Sequence, residues 1–260
     1  MVNLSDVGRI FYGIAIAGIG FQTIYYKDFP YMMIPPRHSW IPGLVMIAYV
    51  FGTVLILAGA CIVFEKKTRS ASLLLGTVLL MIFCFYFIPY QFMINSNYMH
   101  LGKWENAEKE LALASGALII ANCFSEKNKN SSTSFLTRLL PFGAILFSIT
   151  MISFGIDHFL YAKDVAEYIP SWIPNHLFWV YFAGTALIGS GIAILFKIKP
   201  RLMTALLGTM IFIWIIILHI PKSIASPFAG KGGEVTSAFL ALAYSGIAFV
   251  IAGTAKKQHK

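Results

Sequence analysis

Eight stretches of the chain are each apolar for roughly the length that crosses a bilayer. They run approximately over 7–26, 43–64, 71–91, 107–124, 138–161, 177–196, 202–220 and 235–254. About 20 apolar residues in a helix span the hydrocarbon core, and in lipid only helices or closed barrels satisfy every backbone N–H and C=O. The runs are continuous rather than alternating, which selects helices. Only 12% of the residues are charged, 58% are apolar and mean hydropathy is +0.73, against roughly 25% charged in soluble domains. An ordinary soluble enzyme, a disulfide scaffold and a disordered tail are excluded. The first run is read as a span rather than a secretory leader: residues before Gly8 include Asp6 and no basic residue, and no small-residue cleavage site follows.

The runs repeat. YVFGTVLILAGACIVF (49–64) aligns with YFAGTALIGSGIAILF (181–196), 132 positions on, and the same offset carries LLGT (74–77) onto LLGT (206–209) and Pro89 onto Pro221. Gly20, Tyr26 and Ile34-Pro35 fall on Gly155, Tyr161 and Ile169-Pro170 at an offset of 135, and Ser115-Gly116 on Ser245-Gly246 at 130. The expected organisation is all-α: two parallel four-helix repeats, 1–130 and 131–260, forming two bundles side by side. An even number of spans per half makes both halves enter from one side.

Charge sets the orientation. Thirteen of the 20 Lys and Arg residues fall on one side, among them Arg9, Lys66, Lys67, Arg69, Lys197 and Arg201. Seven fall on the other, while the 11 acidic residues divide the opposite way, three against eight. Basic residues near short loops mark the cytoplasmic face, which predicts both termini there. The net charge of +9 is therefore a topology signal spread over short segments, and nucleic acid is not an expected partner; the lipid bilayer is. Cys61, Cys84 and Cys123 sit inside apolar runs with no C-x-x-C pair and read as small buried hydrophobes. No metal-ligand spacing, phosphate loop or nucleophile elbow appears.

The stretch FGIDHFLYAKDVAEYIPSWIPNHLFWVYFAGTALIGSGIAIL (154–195) places a glycine-containing span before a Pro-Trp-Pro loop, W-x-Y-x-x-G and a second glycine. It resembles the DoxX-like family of bacterial membrane proteins. The first half is similar but more diverged, with Trp40-Ile41-Pro42 and the Gly52-Thr53 to Gly59 stretch. The resemblance implies four spans per unit, an inner-membrane location and a tie to membrane redox through a partner subunit. The fused pair departs from the single four-span unit of that family. The two Pro- and Trp-rich loops, 29–42 and 165–176, are expected to lie flat at the outer interface or to fold back over the bundle.

Ionisable groups inside spans are costly and are therefore candidate functional groups. Asp157 and His158 in the fifth span are the candidate proton-exchanging pair. Tyr161 shares a helical face with Asp157, and Gln22, Thr23 and Tyr26 are the counterparts in the first half. His219, two residues before Pro221, adds a second histidine at the same depth. Tyr161, His219, Gln22 and Tyr26 are thus candidate ligand-binding residues. A histidine beside a carboxylate and a tyrosine suits a quinone headgroup near pH 7. Two histidines on facing helices suit haem iron, and the same set also suits a hydrogen-bonded structural cluster. Glu105, Glu108, Glu110 and Glu234 read as carboxylates complementing helix N-termini, with Glu108 the deepest. Beside a quinone-facing or anchoring subunit stand a small-molecule transporter and a ligand-free assembly factor. Reporters fused at the two ends are expected on the same, cytoplasmic, face; labelling with a membrane-impermeant reagent checks this, and opposite faces would break the span count.

Overall fold

The computed structural model describes residues 3–34, 43–94, 99–124 and 135–255. Eight long helices form among them: α1 Leu4–Tyr26, α2 Leu44–Val63, α3 Thr68–Met93, α4 Glu105–Cys123, α5 Phe142–Leu160, α6 His176–Leu195, α7 Pro200–Ala225 and α8 Gly233–Thr254. No strand occurs among the described residues. Seven of these helices are long and apolar enough to cross a membrane. The exception is α4, which covers the expected fourth span but carries Glu105, Glu108, Lys109 and Glu110 in its first two turns. This is a multi-pass membrane protein by its helices. Large side chains such as Met46, Val50, Val54 and Leu57 of α2 are exposed in a row, as a lipid-facing surface requires.

Helix contacts follow the small residues. In lipid no hydrophobic drive holds helices together, so close packing must. A Cβ on Gly52 would lie 2.6 Å from the Gly20 carbonyl, and one on Gly59 2.5 Å from the Gly13 carbonyl. Hence α1 and α2 touch backbone to backbone at two points seven residues apart. In α5 and α6 the same pattern joins Gly155 to Gly184, and Gly191 to the Ser148 carbonyl.

The packing order crosses between the halves. The principal neighbours of α1 are α2 and α8, and those of α5 are α6 and α4. α3 packs on α4, α7 on α8, and α4 meets α8. Each half's first helix thus leans on the other half's last helix, with α4 and α8 the most enclosed. Gly8 against Gly246 and Gly143 against Ser115 make these crossing contacts tight. The helices expected to form two side-by-side bundles instead pack as one interlocked set.

Two helices change pitch. Phe83–Phe87 in α3 and Ile215–His219 in α7 are π turns, and the N–H groups of Ile88 and Ile220 reach the carbonyls of Phe83 and Ile215. Pro89 and Pro221 follow at once. Proline lacks an N–H and clashes with the carbonyl four residues back; the wider turn absorbs both defects. Arg9 closes the opposite end: its guanidinium is 6% exposed yet donates to the carbonyls of Ile62 and Val63 and pairs with Glu65 at 3.4 Å. A cation at the end of α2 complements the helix dipole.

Gly155→Val should lower the thermal midpoint of the detergent-solubilised protein, since overpacking costs about 1–3 kcal/mol. Gly189→Ala should leave it unchanged, because a Cβ there meets nothing within 4 Å. Equal effects would break the packing account.

Candidate functional site

Asp157 and His158 lie three and two residues before the end of α5, where α4, α6, α7 and α8 converge around a cavity of about 870 Å³. Its deeper wall is apolar: Met151, Leu187, Met210 and Leu240, from four helices. Its outer wall is polar, with Glu105, Lys109, Asp164 and Glu234 at or near helix ends. Six aromatic residues line it, including Trp179 and Trp214 at 6.3 Å edge-to-face. An apolar body and a polar head would both be matched here.

Two polar groups on the wall, Asp157 and His158, present hydrogen-bond acceptors. The carboxylate oxygens of Asp157 are both buried without a partner. His158 Nδ1 lies 2.7 Å from the Phe154 carbonyl. A carbonyl only accepts, so Nδ1 carries the hydrogen and, in the neutral ring, Nε2 is left as an acceptor. His219, the last residue of the α7 π turn, also lines the cavity. On the α4 side, Lys109 pairs with Glu105 one turn away, and Ser153 of α5 donates to Glu108 Oε1.

Tyr161 does a different job. Its hydroxyl accepts from the Gly102 N–H at 3.1 Å and shares a 3.0 Å hydrogen bond with His100 Nδ1, with the two rings stacked at 5.2 Å. It ties the end of α5 to the turn before α4. Tyr26 makes the corresponding tie in the other half, donating to Pro227 O at 2.6 Å, and Gln22 donates to Gly232 O and Thr236 Oγ1. Gln22 and Tyr26 hold the entry to α8 and do not line the cavity. Of the sequence candidates, the fold brings Asp157, His158, Tyr161 and His219 together and keeps Gln22 and Tyr26 apart.

The second Pro- and Trp-rich loop folds back. A short helix, Ala162–Ala166, leads into a turn whose Tyr168 and Ile169 reach the cavity, while Ile169 and Ile173 pack on Val180. Lys222 sits 3.6 Å over the Tyr168 ring, a cation–π contact that holds the strap to α7. From the first loop, Met32 reaches the cavity and Phe29 and Met33 are buried; residues 35–42, with His38, Trp40 and Pro42, lie outside the described residues.

Several cavity groups were not singled out in the sequence. Glu105 read there as an acid at a helix N-terminus, and its i,i+4 spacing to Lys109 was the available signal. Glu110, rather than Glu108, is the fully buried carboxylate of α4. Among the described residues no group of three or more His, Cys, Asp and Glu side chains is placed to hold a metal ion. Comparisons with protein-family models, with curated proteins and with solved structures return no match.

Tyr161→Phe removes two hydrogen bonds of about 1 kcal/mol each. Faster amide exchange at Gly102 with unchanged helical content is expected. An unaltered exchange rate would remove this tie from the account.

Proposed function

We propose that this chain is a tandem DoxX-like protein of the bacterial inner membrane, with both termini cytoplasmic and α4 as an eighth span. Its cavity holds the head group of a membrane quinol on behalf of a redox partner subunit. The observation that carries the ligand assignment is the unsatisfied acceptor set of Asp157 and His158 on the wall of an apolar-floored cavity. A quinol supplies two hydroxyl donors and an apolar tail. Buried acceptors left without donors are costly, and a ligand of that form supplies those donors. Asp157 and His158 would accept from the hydroxyls, His219 would stand on the facing helix, and Met151, Leu187 and Leu240 would exclude water from the ring. Electron transfer would need the partner, since the chain carries no redox-competent motif of its own.

The duplication is supported by structure at the offsets read in the sequence. The glycine contact pairs Gly20–Gly52 and Gly155–Gly184 correspond, as do the π turns at 83–87 and 215–219. At aligned positions the first half places Phe51 where the second has Ala183, and Phe87 where it has His219. Phe87 is buried, and Phe51 packs on Phe29 at 5.3 Å. Larger side chains occupy the place that the second half leaves as a cavity.

A second reading, small-molecule transport, is favoured by one observation. Interrupted helices at matching positions of two halves are a pointer to transporter sites, and α3 and α7 are both interrupted by π turns. Uptake of a quinol-like amphiphile into vesicles would select it.

The test is binding of decylubiquinol to purified protein, followed by tryptophan quenching. Asp157→Asn and His158→Ala should each weaken binding about tenfold, the range of a lost hydrogen bond involving a charged or strongly polar group. Ala183→Phe should block it. Unchanged affinity in all three would overturn the site.

A further inference from the structure

Glu110 does not line the cavity and has no hydrogen-bond partner among the described residues. It is fully buried, and both of its carboxylate oxygens lie without a hydrogen bond. It is the sixth residue of α4, past the orphan N–H groups of the first turn, so the helix end does not account for it. At the aligned position 130 residues on, the second half has Leu240, the volume such a place ordinarily takes. A carboxylate in a dry interior is tolerated as the ion only with compensating charge or donors. Intramembrane carboxylates kept without such partners are candidates for proton carriers.

Among the described residues the surroundings supply hydroxyls, and no cation pairs with the Glu110 carboxyl. Tyr12 of α1 donates to the Leu113 carbonyl at 2.7 Å, and Tyr244 of α8 donates to the Lys109 carbonyl at 3.1 Å. These carbonyls flank Glu110 along α4, and both phenols are within electrostatic reach of its carboxyl. On α4 itself Lys109 is paired with Glu105, and Glu108 is turned to Ser153 of α5. On α5 the nearest ionisable groups, Asp157 and His158, face the cavity. α3, which also packs on α4, carries only Arg69 as a charged residue, at its opposite end. The Tyr244 ring lines the cavity while its hydroxyl lies against α4.

We propose that Glu110 is a proton-binding site buried at the meeting of α1, α4 and α8, and that its proton exchanges with the cavity beside Tyr244. In the exchange the acid O–H of Glu110 breaks as a water entering from the cavity beside Tyr244 takes that proton and carries it out as hydronium. The Tyr244 hydroxyl accepts a hydrogen bond from that water while it donates to the Lys109 carbonyl. A proton returning by the reverse steps restores the acid. No oxidant or cofactor is involved. The site is independent of which molecule the cavity takes. It gives the membrane domain one carboxyl that can load and unload a proton.

The test uses the full chain in detergent and infrared spectroscopy, without any cavity ligand. Wild type at neutral pH should show the C=O stretch of a protonated carboxylic acid. That band should vanish in Glu110→Gln and survive in Glu108→Gln and Asp157→Asn. Transfer to D2O should shift it, and Tyr244→Phe should slow that shift several-fold. Glu110→Gln and Glu110→Leu should melt no lower than wild type, because removing an unpartnered polar group relieves a cost. A band that is missing in wild type, or that persists in Glu110→Gln, overturns the site. An unchanged shift rate in Tyr244→Phe overturns the route. A marked fall in melting temperature for Glu110→Gln and Glu110→Leu makes the residue structural and overturns the proposal.

Discussion

Lipid withholds both of the forces that assemble a soluble core. It offers no hydrogen bonds to the backbone, so each crossing must be a helix. It also gives helices no apolar reason to prefer one another over lipid tails. What remains is contact distance. The glycines at 13, 20, 52 and 59 bring α1 and α2 together, and Ser148, Gly155, Gly184 and Gly191 do so for α5 and α6. At these points backbones meet without an intervening side chain, so dispersion is gained over a continuous surface. Every other feature, including the cavity, is positioned relative to these two tight pairs.

Polar groups in such a setting are either consumed or left conspicuous. Most hydroxyls inside the helices bond back to a carbonyl one turn earlier, as Thr23, Thr53, Ser148 and Thr204 do. Arg9 is consumed by the end of α2, and Gln22 and Tyr26 by the entry turn of α8. Asp157 and Glu110 are the carboxylates left with both oxygens buried and unpartnered among the described residues. One lines a cavity and the other does not, and that difference separates a group available to a small molecule from a group available only to a proton.

The helices were readable because the pattern that makes them is local. The expected apolar runs agree with the helix ends to within five residues, although α4 lacks the apolar length of a span. What local pattern could not show is partner choice. That α1 leans on α8 and α5 on α4 is a property of the assembled pair of halves. The convergence of α4 with α5 to α8, and with it the place of Glu105 and Lys109 on the cavity wall, follows from that choice. Glu110 read as a carboxylate complementing the helix N-terminus, whereas it is fully buried in contact range of α1 and α8. The π turns were announced only by Ile-Pro in an apolar run, which fixes a defect but not how the helix absorbs it.

At the positions aligned by the proposed duplication, the close backbone contacts agree while the side chains around them differ. Ala183 and His219 leave room where Phe51 and Phe87 take it, while Asp157 offers an ion where Gln22 offers an amide that is already bonded. Volume and charge have changed together on one side of the molecule. A cavity opened by small residues would tend to collapse if its walls were uniformly soft, because empty apolar volume destabilises in proportion to its size. Here the walls are stiffened by the Trp179–Trp214 contact, by the strap that Lys222 holds at Tyr168, and by the Tyr161 tie to the turn before α4. Three restraints on different elements thus oppose collapse of the cavity.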